Sequence, residues 1–164
     1  METLPANTGA SARFVHTTPL RIKLIDGATM PEYATSGAAC FDIRALDNGM
    51  PHPNDDHACV YRTGLIFEVP EGHALMIYSR SGHGFKDALR LSNCVGVIDS
   101  DYRGEVKVSL RFDASGDRRC TKVRAGDRIA QAMLVPVPHV TMVQVDELSQ
   151  TERGAGGFGS TGAA

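Results

Sequence analysis

An alternation of apolar and polar residues with a period of two restricts the fold of this chain more than any other feature. In "VKVSLRF" (106–112), every second residue from Val106 onward is apolar, and the residues between them are polar. A β-strand places alternate side chains on opposite faces, so this stretch predicts a strand with one buried face. No stretch of a dozen residues shows the period of about 3.6 that an amphipathic helix needs.

Several further stretches have the alternation or the composition of strands, namely "LRIKLI" (20–25), "LIFEV" (65–69), "ALMIY" (74–78), "IAQAMLVPV" (129–137) and "VTMVQV" (140–145). Clusters of turn-forming Asp, Asn, Pro and Gly residues separate them along the chain. One short helical turn fits near "GFKDALRL" (84–91). Many short strands joined by turns predict an all-β barrel or sandwich.

The composition is that of an ordinary globular domain. The chain has 164 residues, of which 42% are hydrophobic and 22% charged, and its formal net charge is -2. This length favours one domain, and this charge gives no general attraction to nucleic acid or to an acidic membrane. No apolar run approaches the roughly 20 residues of a membrane helix, and the first residues lack the layout of a signal peptide. We therefore expect a cytoplasmic protein without nucleic-acid or membrane partners.

The cysteines and the histidines raise the question of metal binding. In a chain of this length without an export signal, the cysteine spacing predicts free thiols rather than a disulfide framework or a zinc site. The cysteines are Cys40, Cys59, Cys94 and Cys120. The stretch "HPNDDHAC" (52–59) has the residue types of a metal site, but a solvated loop between strands routinely has the same composition.

A glycine-rich stretch, "RGAGGFGSTG" (153–162), lies near the end of the sequence. It matches the G-x-G-x-x-G pattern of dinucleotide sites, but that pattern needs a strand before it and a helix after it, and neither is predicted here. A flexible linker has the same glycine content. Arg153 and Phe158 favour a functional interpretation, because arginine can bind phosphate and an aromatic ring can stack on a base.

The stretch "GVIDSDYRGEV" (96–106) predicts a β-hairpin with charged residues at its mouth. An apolar run ends at Asp99, Asp101 and Tyr102 follow, and a strand then resumes. A plain polar turn would have similar residues, since Asp and Gly favour turns. Elsewhere, "YSRSGHG" (78–84) places a serine near a histidine but lacks the G-x-S-x-G elbow of serine hydrolases.

Taken together, stretches of the chain resemble the five motifs of the trimeric deoxyuridine triphosphatases (dUTPases). In order, they are "ATSGAACFDIRA" (34–45), "RSG" (80–82), "NCVGVIDSDYRGEV" (93–106), "GDRIAQ" (126–131) and "RGAGGFGSTG". Each is short, but five in order with typical spacings are a specific match across residues 34–162. The chain departs from the family pattern at Cys40, Ser79 and Lys107, where glycine, proline and a less polar residue are usual.

This resemblance implies a dUTPase-like, jelly-roll-like β-barrel that assembles as a homotrimer. It divides the chain into a flexible leader (1–18), the barrel domain (19–150) and a mobile arm (151–164) that closes over the active site. The implied reaction is hydrolysis of dUTP to dUMP and pyrophosphate with Mg²⁺, by attack of water on the α-phosphorus. Such an enzyme keeps uracil out of DNA and supplies dUMP for dTMP synthesis.

The resemblance also assigns roles to individual residues. Asp99 is the expected general base, and Asp42 is expected to act on the metal indirectly, through water. The residues expected to bind the nucleotide are Arg80, Ser81, Gly82, Asn93, Gly96, Val97, Ile98, Tyr102, Lys107, Gln131, Arg153, Phe158, Gly159 and Ser160. Within this set the hairpin would read the uracil edge, Tyr102 would exclude a 2′-hydroxyl, and Phe158 would stack on the base.

Two alternative functions share this fold. A dCTP deaminase needs a glutamate on the strand after the third motif, whereas "VKVSLRF" contains no carboxylate and has Ser109 at the corresponding position. A non-catalytic nucleotide-binding regulator would typically have lost the base or the arginine of the arm, and both Asp99 and Arg153 are present. The sequence therefore favours an enzyme.

Overall fold

A computed structural model describes residues 17–113 and 122–157 of the chain. The elements of this part are β1 (Arg21–Leu24), β2 (Glu32–Tyr33), β3 (Phe41–Arg44), β4 (Met50–His52), β5 (Asp55–Glu68), β6 (His73–Tyr78), α1 (Ser81–Asp87), β7 (Leu89–Leu91), β8 (Val95–Ile98), β9 (Val106–Phe112) and β10 (Arg128–Pro136). The predicted all-β class is confirmed. In the residues described, no helix is long and apolar enough to cross a membrane.

The strands form two five-stranded antiparallel sheets. In the first, β1, β5, β9 and β7 are neighbours in that order, and β4 also pairs with β5. In the second, the order is β2, β3, β10, β6 and β8. Within the described part of the chain the two sheets remain separate hydrogen-bonded layers and do not close into one ring of strands.

The core lies between apolar faces that the alternation creates. In β9, Val106, Val108 and Leu110 are buried, whereas Lys107 between them is exposed. In the second sheet, Ile43 on β3 is also completely buried. Burying a side chain of this size contributes roughly 1.5–3 kcal/mol relative to leaving it in water, so this alternation fixes the register of the strands.

The prediction of a β-hairpin over 96–106 is wrong, because β8 pairs with β6 in the second sheet whereas β9 pairs with β5 and β7 in the first, so the chain crosses between the sheets here. A bulge in β5 holds the end of this crossing, where β9 begins. Gly64 has a φ of 68°, and a Cβ there would lie 2.6 Å from the Cβ of Ala28, so only glycine fits. The Gly64 N–H donates to the carboxylate of Glu105 at 2.9 Å, and the Nε of Arg62 donates to the same carboxylate at 3.2 Å. These bonds fix Glu105 at the position where β9 begins.

The strand predictions hold wherever a neighbouring strand exists within the chain. Those for 20–25, 65–69, 74–78, 106–112 and 129–137 are confirmed by β1, β5, β6, β9 and β10. The prediction for 140–145 is wrong for the single chain, because this segment pairs with no strand among the described residues and leaves Val140 and Met142 68% and 86% exposed.

The helix and one cysteine also differ from expectation. The helix begins at Ser81 instead of near residue 84, and β7 occupies the end of the predicted range. No residue of α1 is buried, so it has no apolar periodicity that would reveal it. The expectation of free thiols is confirmed for Cys40 and Cys94 but wrong for Cys59, which is disulfide-bonded, because spacing along the chain does not show which thiols meet in space. Cys120 lies outside the described residues.

Candidate functional site

One cluster of charged residues lies at an end of the second sheet. The Oδ1 of Asp42 accepts a hydrogen bond from Nε of Arg80 at 2.9 Å, and its Oδ2 accepts one from Nη1 of Arg128 at 3.0 Å. The Asp42 side chain is only 12% exposed, whereas Arg128 is 43% exposed. One carboxylate thus faces two guanidinium groups, and the excess positive charge favours binding of an anion.

The sheet register brings these residues together from distant parts of the sequence. Gln131 on β10 is paired with Asp42 on β3 and with Tyr78 on β6. Because β10 is the middle strand, Asp42 and the chain that leaves β6 toward Arg80 lie on either side of it. The Nε2 of Gln131 donates to the carbonyl oxygen of Ser79 at 3.0 Å. We refer to Asp42, Arg80, Arg128 and Gln131 as the arginine cluster.

The residues around the arginine cluster leave polar groups accessible. Ser81 and Gly82 follow Arg80 directly and are exposed. Ser79, which stands where the family usually has proline, accepts the backbone N–H of Leu91 on its Oγ at 2.9 Å. The Ser79 hydroxyl therefore connects the end of β6 to β7, and the exposed polar groups at this position belong to Ser81 and Gly82.

A second candidate region lies around the connection between β8 and β9, where the sequence predicts a hairpin. A cavity of about 420 Å³ is lined there by His52, Ile77, Leu91, Ser92, Asn93, Gly96, Val97, Ile98, Val106, Lys107, Val108 and Ser109. A neighbouring cavity of about 420 Å³ is lined by Ile98, Tyr102, Glu105, Val106 and Lys107. The two share three lining residues, and we call them together the hairpin cavity. Its size is that of a small-molecule site.

The polar groups of the hairpin cavity are mostly uncharged. The hydroxyls of Ser92 and Ser109 lie 2.8 Å apart and are hydrogen-bonded. Gly96 allows the backbone to approach closely, since a Cβ there would lie 3.1 Å from the Cβ of Ile77. Glu105 is the single acid among the lining residues described, and Arg62 and Gly64 already bind its carboxylate. The cavity therefore offers no free carboxylate.

Asp99 and Tyr102 lie in the connection between β8 and β9. Asp99 is exposed directly after β8, and its carboxylate has no hydrogen-bond partner among the residues described. The Tyr102 hydroxyl donates to the carbonyl oxygen of Glu105 at 3.2 Å. A Cβ at Gly104 would lie 2.3 Å from that hydroxyl oxygen, so glycine is what allows the ring to fold over the turn.

Within one chain, Asp99 and Arg80 lie at opposite ends of β6. Ile98, the residue before Asp99, pairs with Leu75, and Tyr78 pairs with Val95 at the other end. Arg80 lies two residues beyond Tyr78, so the offset between Asp99 and Arg80 is six residues along the strand direction. At about 3.3 Å per residue this is roughly 20 Å, which exceeds the combined reach of the two side chains.

Other predicted residues are placed as follows. Arg153 is exposed, and its Nε donates to the carbonyl oxygen of Gly156 at 2.9 Å within the same turn. Phe158, Gly159 and Ser160 lie outside the described residues. Lys107 points away from the core at the hairpin cavity, and its amino group has no partner in the part of the chain that the structure describes.

Cys40 and the stretch "HPNDDHAC" (52–59) have different surroundings. Burial, and secondarily the Asp42 carboxylate, raise the pKa of the Cys40 thiol, which keeps it protonated and unreactive near neutral pH. Asp55 accepts the His57 N–H at 3.0 Å, and this bond is the main cause that lowers its pKa. The stretch is not a solvated loop throughout, because 55–59 belong to β5 and Ala58 and Cys59 are buried there. The described residues contain no group of three or more side chains able to hold a metal ion.

Two residues near the sites received no role from the sequence. Arg128 lies within "GDRIAQ", and a charge-based reading of that motif would have noted it as its only cation. His83 directly follows "RSG", and its Nε2 lies 2.7 Å from the carbonyl oxygen of Arg128. No sequence signal indicates this contact, because it joins residues 45 positions apart.

An all-β scaffold with a basic cluster and a separate cavity of nucleoside size defines a protein suited to bind a phosphorylated nucleoside. The dUTPase family model matches residues 26–162. A deoxyuridine 5′-triphosphate nucleotidohydrolase from Treponema denticola is 45% identical over 142 residues, which cover 87% of this chain and 96% of the relative. One from Nautilia profundicola is 42% identical over 140 residues, covering 85% and 95%. The chain belongs to the dUTPase family, which confirms the resemblance.

Solved structures agree with this assignment. A dUTPase of Staphylococcus bacteriophage 80alpha with dUpNHpp superposes with a TM-score of 0.76 at 28% identity. The match covers 90% of this chain and all of the phage chain. The similarity therefore extends over most of the architecture of this chain.

Proposed function

We propose that the protein hydrolyses dUTP to dUMP and pyrophosphate, with the arginine cluster and the hairpin cavity as the two halves of its active site. The observation that carries this proposal is the exposed carboxylate of Asp99, which has no partner among the described residues and directly follows Ile98, a lining residue of a cavity of nucleoside size. The cytoplasmic location is part of the same proposal, since the substrate belongs to the cellular deoxynucleotide pool.

In this proposal the hairpin cavity selects the base. Backbone N–H and C=O groups from Asn93 to Ile98 bind the uracil edge, and the close approach at Gly96 keeps the slot narrow. Cytosine has the opposite donor and acceptor order, so it would leave buried polar groups unpaired at a cost of about 1–3 kcal/mol each. The absence of a free carboxylate among the described lining residues argues against deamination of the base.

The arginine cluster binds the phosphate chain. Nε of Arg80 is occupied by Asp42 and its Nη1 by the Arg128 carbonyl at 3.2 Å, so its Nη2 edge remains for phosphate oxygens. The Ser81 hydroxyl, the Gly82 N–H and the Gln131 side chain add hydrogen bonds as charge develops on the leaving pyrophosphate. Arg153 and the residues after it form the arm that closes over the nucleotide.

Asp99 acts as the general base. Its carboxylate orients a water molecule and accepts its proton as the oxygen attacks the α-phosphorus. Mg²⁺, when bound to the triphosphate, would supply neutralisation of its negative charge. The described residues fit a metal carried by the substrate, since they form no protein cage and both oxygens of Asp42 already accept from arginines; the lone pairs that remain on Asp42 can accept from metal-bound water.

We further propose that the active site is completed by assembly into a homotrimer. The separation of roughly 20 Å between Asp99 and Arg80 in one chain supports this, because one substrate phosphate chain needs both. The segment 137–150 gives independent support: Val143, Val145 and Leu148 are 74%, 54% and 86% exposed along an extended chain without a strand partner among the described residues. Such an apolar segment suits pairing with another subunit.

The proposed reaction is tested by pyrophosphate release from dUTP, dCTP, dTTP and UTP, measured side by side with Mg²⁺. We expect kcat/KM for dUTP to exceed that of each other nucleotide by at least about 100-fold, because a mismatched base leaves buried hydrogen-bonding groups unpaired. Ammonia release from dCTP is measured in parallel. Deamination of dCTP, or equal hydrolysis of all four nucleotides, would contradict the proposal.

Replacement of Tyr102 by Ala should relax sugar discrimination. Without the ring, a 2′-hydroxyl has space, and we expect the ratio of kcat/KM for UTP to that for dUTP to rise by about tenfold or more. Tyr102→Phe is the matched control, because it keeps the ring and loses only the bond to the Glu105 carbonyl. An unchanged ratio in Tyr102→Ala would show that the ring does not exclude the ribose.

A further inference from the structure

The segment that carries Arg80, Ser81 and Gly82 opens a helix that has little stability of its own. α1 is seven residues long, buries none of them, and its N-cap Arg80 makes no side-chain capping bond. A Cβ added at Gly82 or Gly84 would meet nothing within 4 Å, so packing does not require these glycines. Short, exposed, glycine-containing helices are unstable alone, and contacts to the rest of the protein must hold α1 in place.

Two hydrogen bonds to one oxygen supply such a contact. The carbonyl oxygen of Arg128 on β10 accepts from Nη1 of Arg80 at 3.2 Å and lies 2.7 Å from Nε2 of His83. A carbonyl oxygen only accepts, so Nε2 of His83 carries the proton and donates. The two bonded residues, Arg80 and His83, lie on either side of Ser81 and Gly82, so the exposed pair is held at both ends against β10.

The other ring nitrogen of His83 lies near the end of the helix. Nδ1 is 3.6 Å from Oδ2 of Asp87, one helical turn further on, which is too far for a hydrogen bond, and Lys122 lies 3.6 Å from the other oxygen of that carboxylate. The His83 side chain is 19% exposed, so most of the ring is covered although its bond to Arg128 lies at the surface. The bond to Arg128 is therefore the contact that joins His83 to β10.

We propose that His83 is a positioning residue that holds segment 80–82 against β10 in the geometry that binds the phosphate chain. The proposal rests on the proposed function, in which this segment contacts the phosphates. His83 touches no reacting atom in this proposal. It acts through Ser81 and Gly82, whose backbone would otherwise sample several conformations and would have to be ordered on binding.

The test compares His83→Ala and His83→Gln by calorimetric binding of dUpNHpp and dUMP, together with kcat, KM and thermal stability. We expect His83→Ala to weaken dUpNHpp binding and raise KM by about tenfold, with dUMP affinity changed less than about twofold. Glutamine can place an N–H near the position of Nε2, so His83→Gln should stay within about twofold of the unchanged protein. His73→Ala is the control for loss of an imidazole, because the half-buried His73 ring is hydrogen-bonded, among the described residues, to the Glu71 carbonyl and not to β10.

The outcomes separate the two proposals. Equal losses in His83→Ala and His83→Gln, or a loss for dUMP as large as for dUpNHpp, would overturn the positioning role. Arg80→Gln is measured alongside as a direct probe of the segment. If Arg80→Gln weakens dUpNHpp binding and His83→Ala does not, the positioning role is wrong and the phosphate site stands. If neither variant weakens it, the phosphate-binding role of the segment is wrong and the role of His83 falls with it.

Discussion

Replacing Asp99 by Asn should lower the turnover of dUTP by about 10²–10⁴-fold, because the amide cannot accept the proton of the attacking water. The substitution keeps the size of the side chain at an exposed position without a hydrogen-bond partner among the described residues, so the fold should be unaffected. Binding of dUpNHpp should remain within a few-fold of that of the unchanged protein. Single-turnover pyrophosphate release and calorimetric binding measure the two effects separately.

Asp101→Asn is the matched control for this experiment. Asp101 is an exposed carboxylate two residues further along the same turn, and its replacement makes the same change in net charge. We expect its turnover to stay within about twofold of the unchanged protein. If Asp99→Asn and Asp101→Asn had equal, small effects, the loss of negative charge would explain them and Asp99 would not be the base.

Mixing two inactive variants should restore activity. In a trimer whose sites take Asp99 from one subunit and Arg80 from another, a site is complete when one neighbour has each intact residue. With Asp99→Asn and Arg80→Gln chains mixed at random in equal amounts, about a quarter of the sites are complete. Each variant alone should be nearly inactive. The purified mixed trimers, selected through a different tag on each chain, should show about a third of full activity, because selection removes the inactive homotrimers and each remaining ring has one complete site among its three.

A second mixture makes the interpretation unambiguous. Chains that carry both Asp99→Asn and Arg80→Gln are mixed with unchanged chains. A shared site again gives about a quarter of full activity, whereas a site built within one chain gives about a half. A site within one chain would also leave the first mixture inactive. Thermal stability of each variant shows whether the loss of the Arg80–Asp42 ion pair disturbs the fold.

The local sequence pattern correctly predicted the strands that have a partner strand within the described chain. It was wrong for a segment that has no such partner. The alternation in 106–112 predicts β9 because half of its residues are buried against the same core. The equally β-rich 140–145 has no partner strand in the described chain, and without one its backbone remains extended but unpaired. Such a pattern measures the tendency to form a strand and does not reveal the neighbour that completes it.

In the site, too, the sequence did not reveal which side chains and backbone groups become neighbours. Motif resemblance identified Asp42 and Arg80 but did not show that the Asp42 carboxylate accepts hydrogen bonds from two arginines. The partners are 38 and 86 residues away in sequence, and only the central position of β10 brings them together. The role of His83 was not predicted for a related reason. Its ring bonds the backbone carbonyl oxygen of Arg128, and because every residue has such a group, no residue type marks the contact.

The exposed apolar segment 137–150 has a thermodynamic consequence. If a neighbouring subunit covers Val140, Met142 and Leu148, much of the apolar burial that stabilises the protein arises only when subunits meet. Folding and association then form one coupled equilibrium, so the melting temperature rises with protein concentration. Dilution would therefore shift such a protein toward unfolded, separate chains. A cell that lowered its amount of this enzyme would lower the stability of each remaining molecule as well.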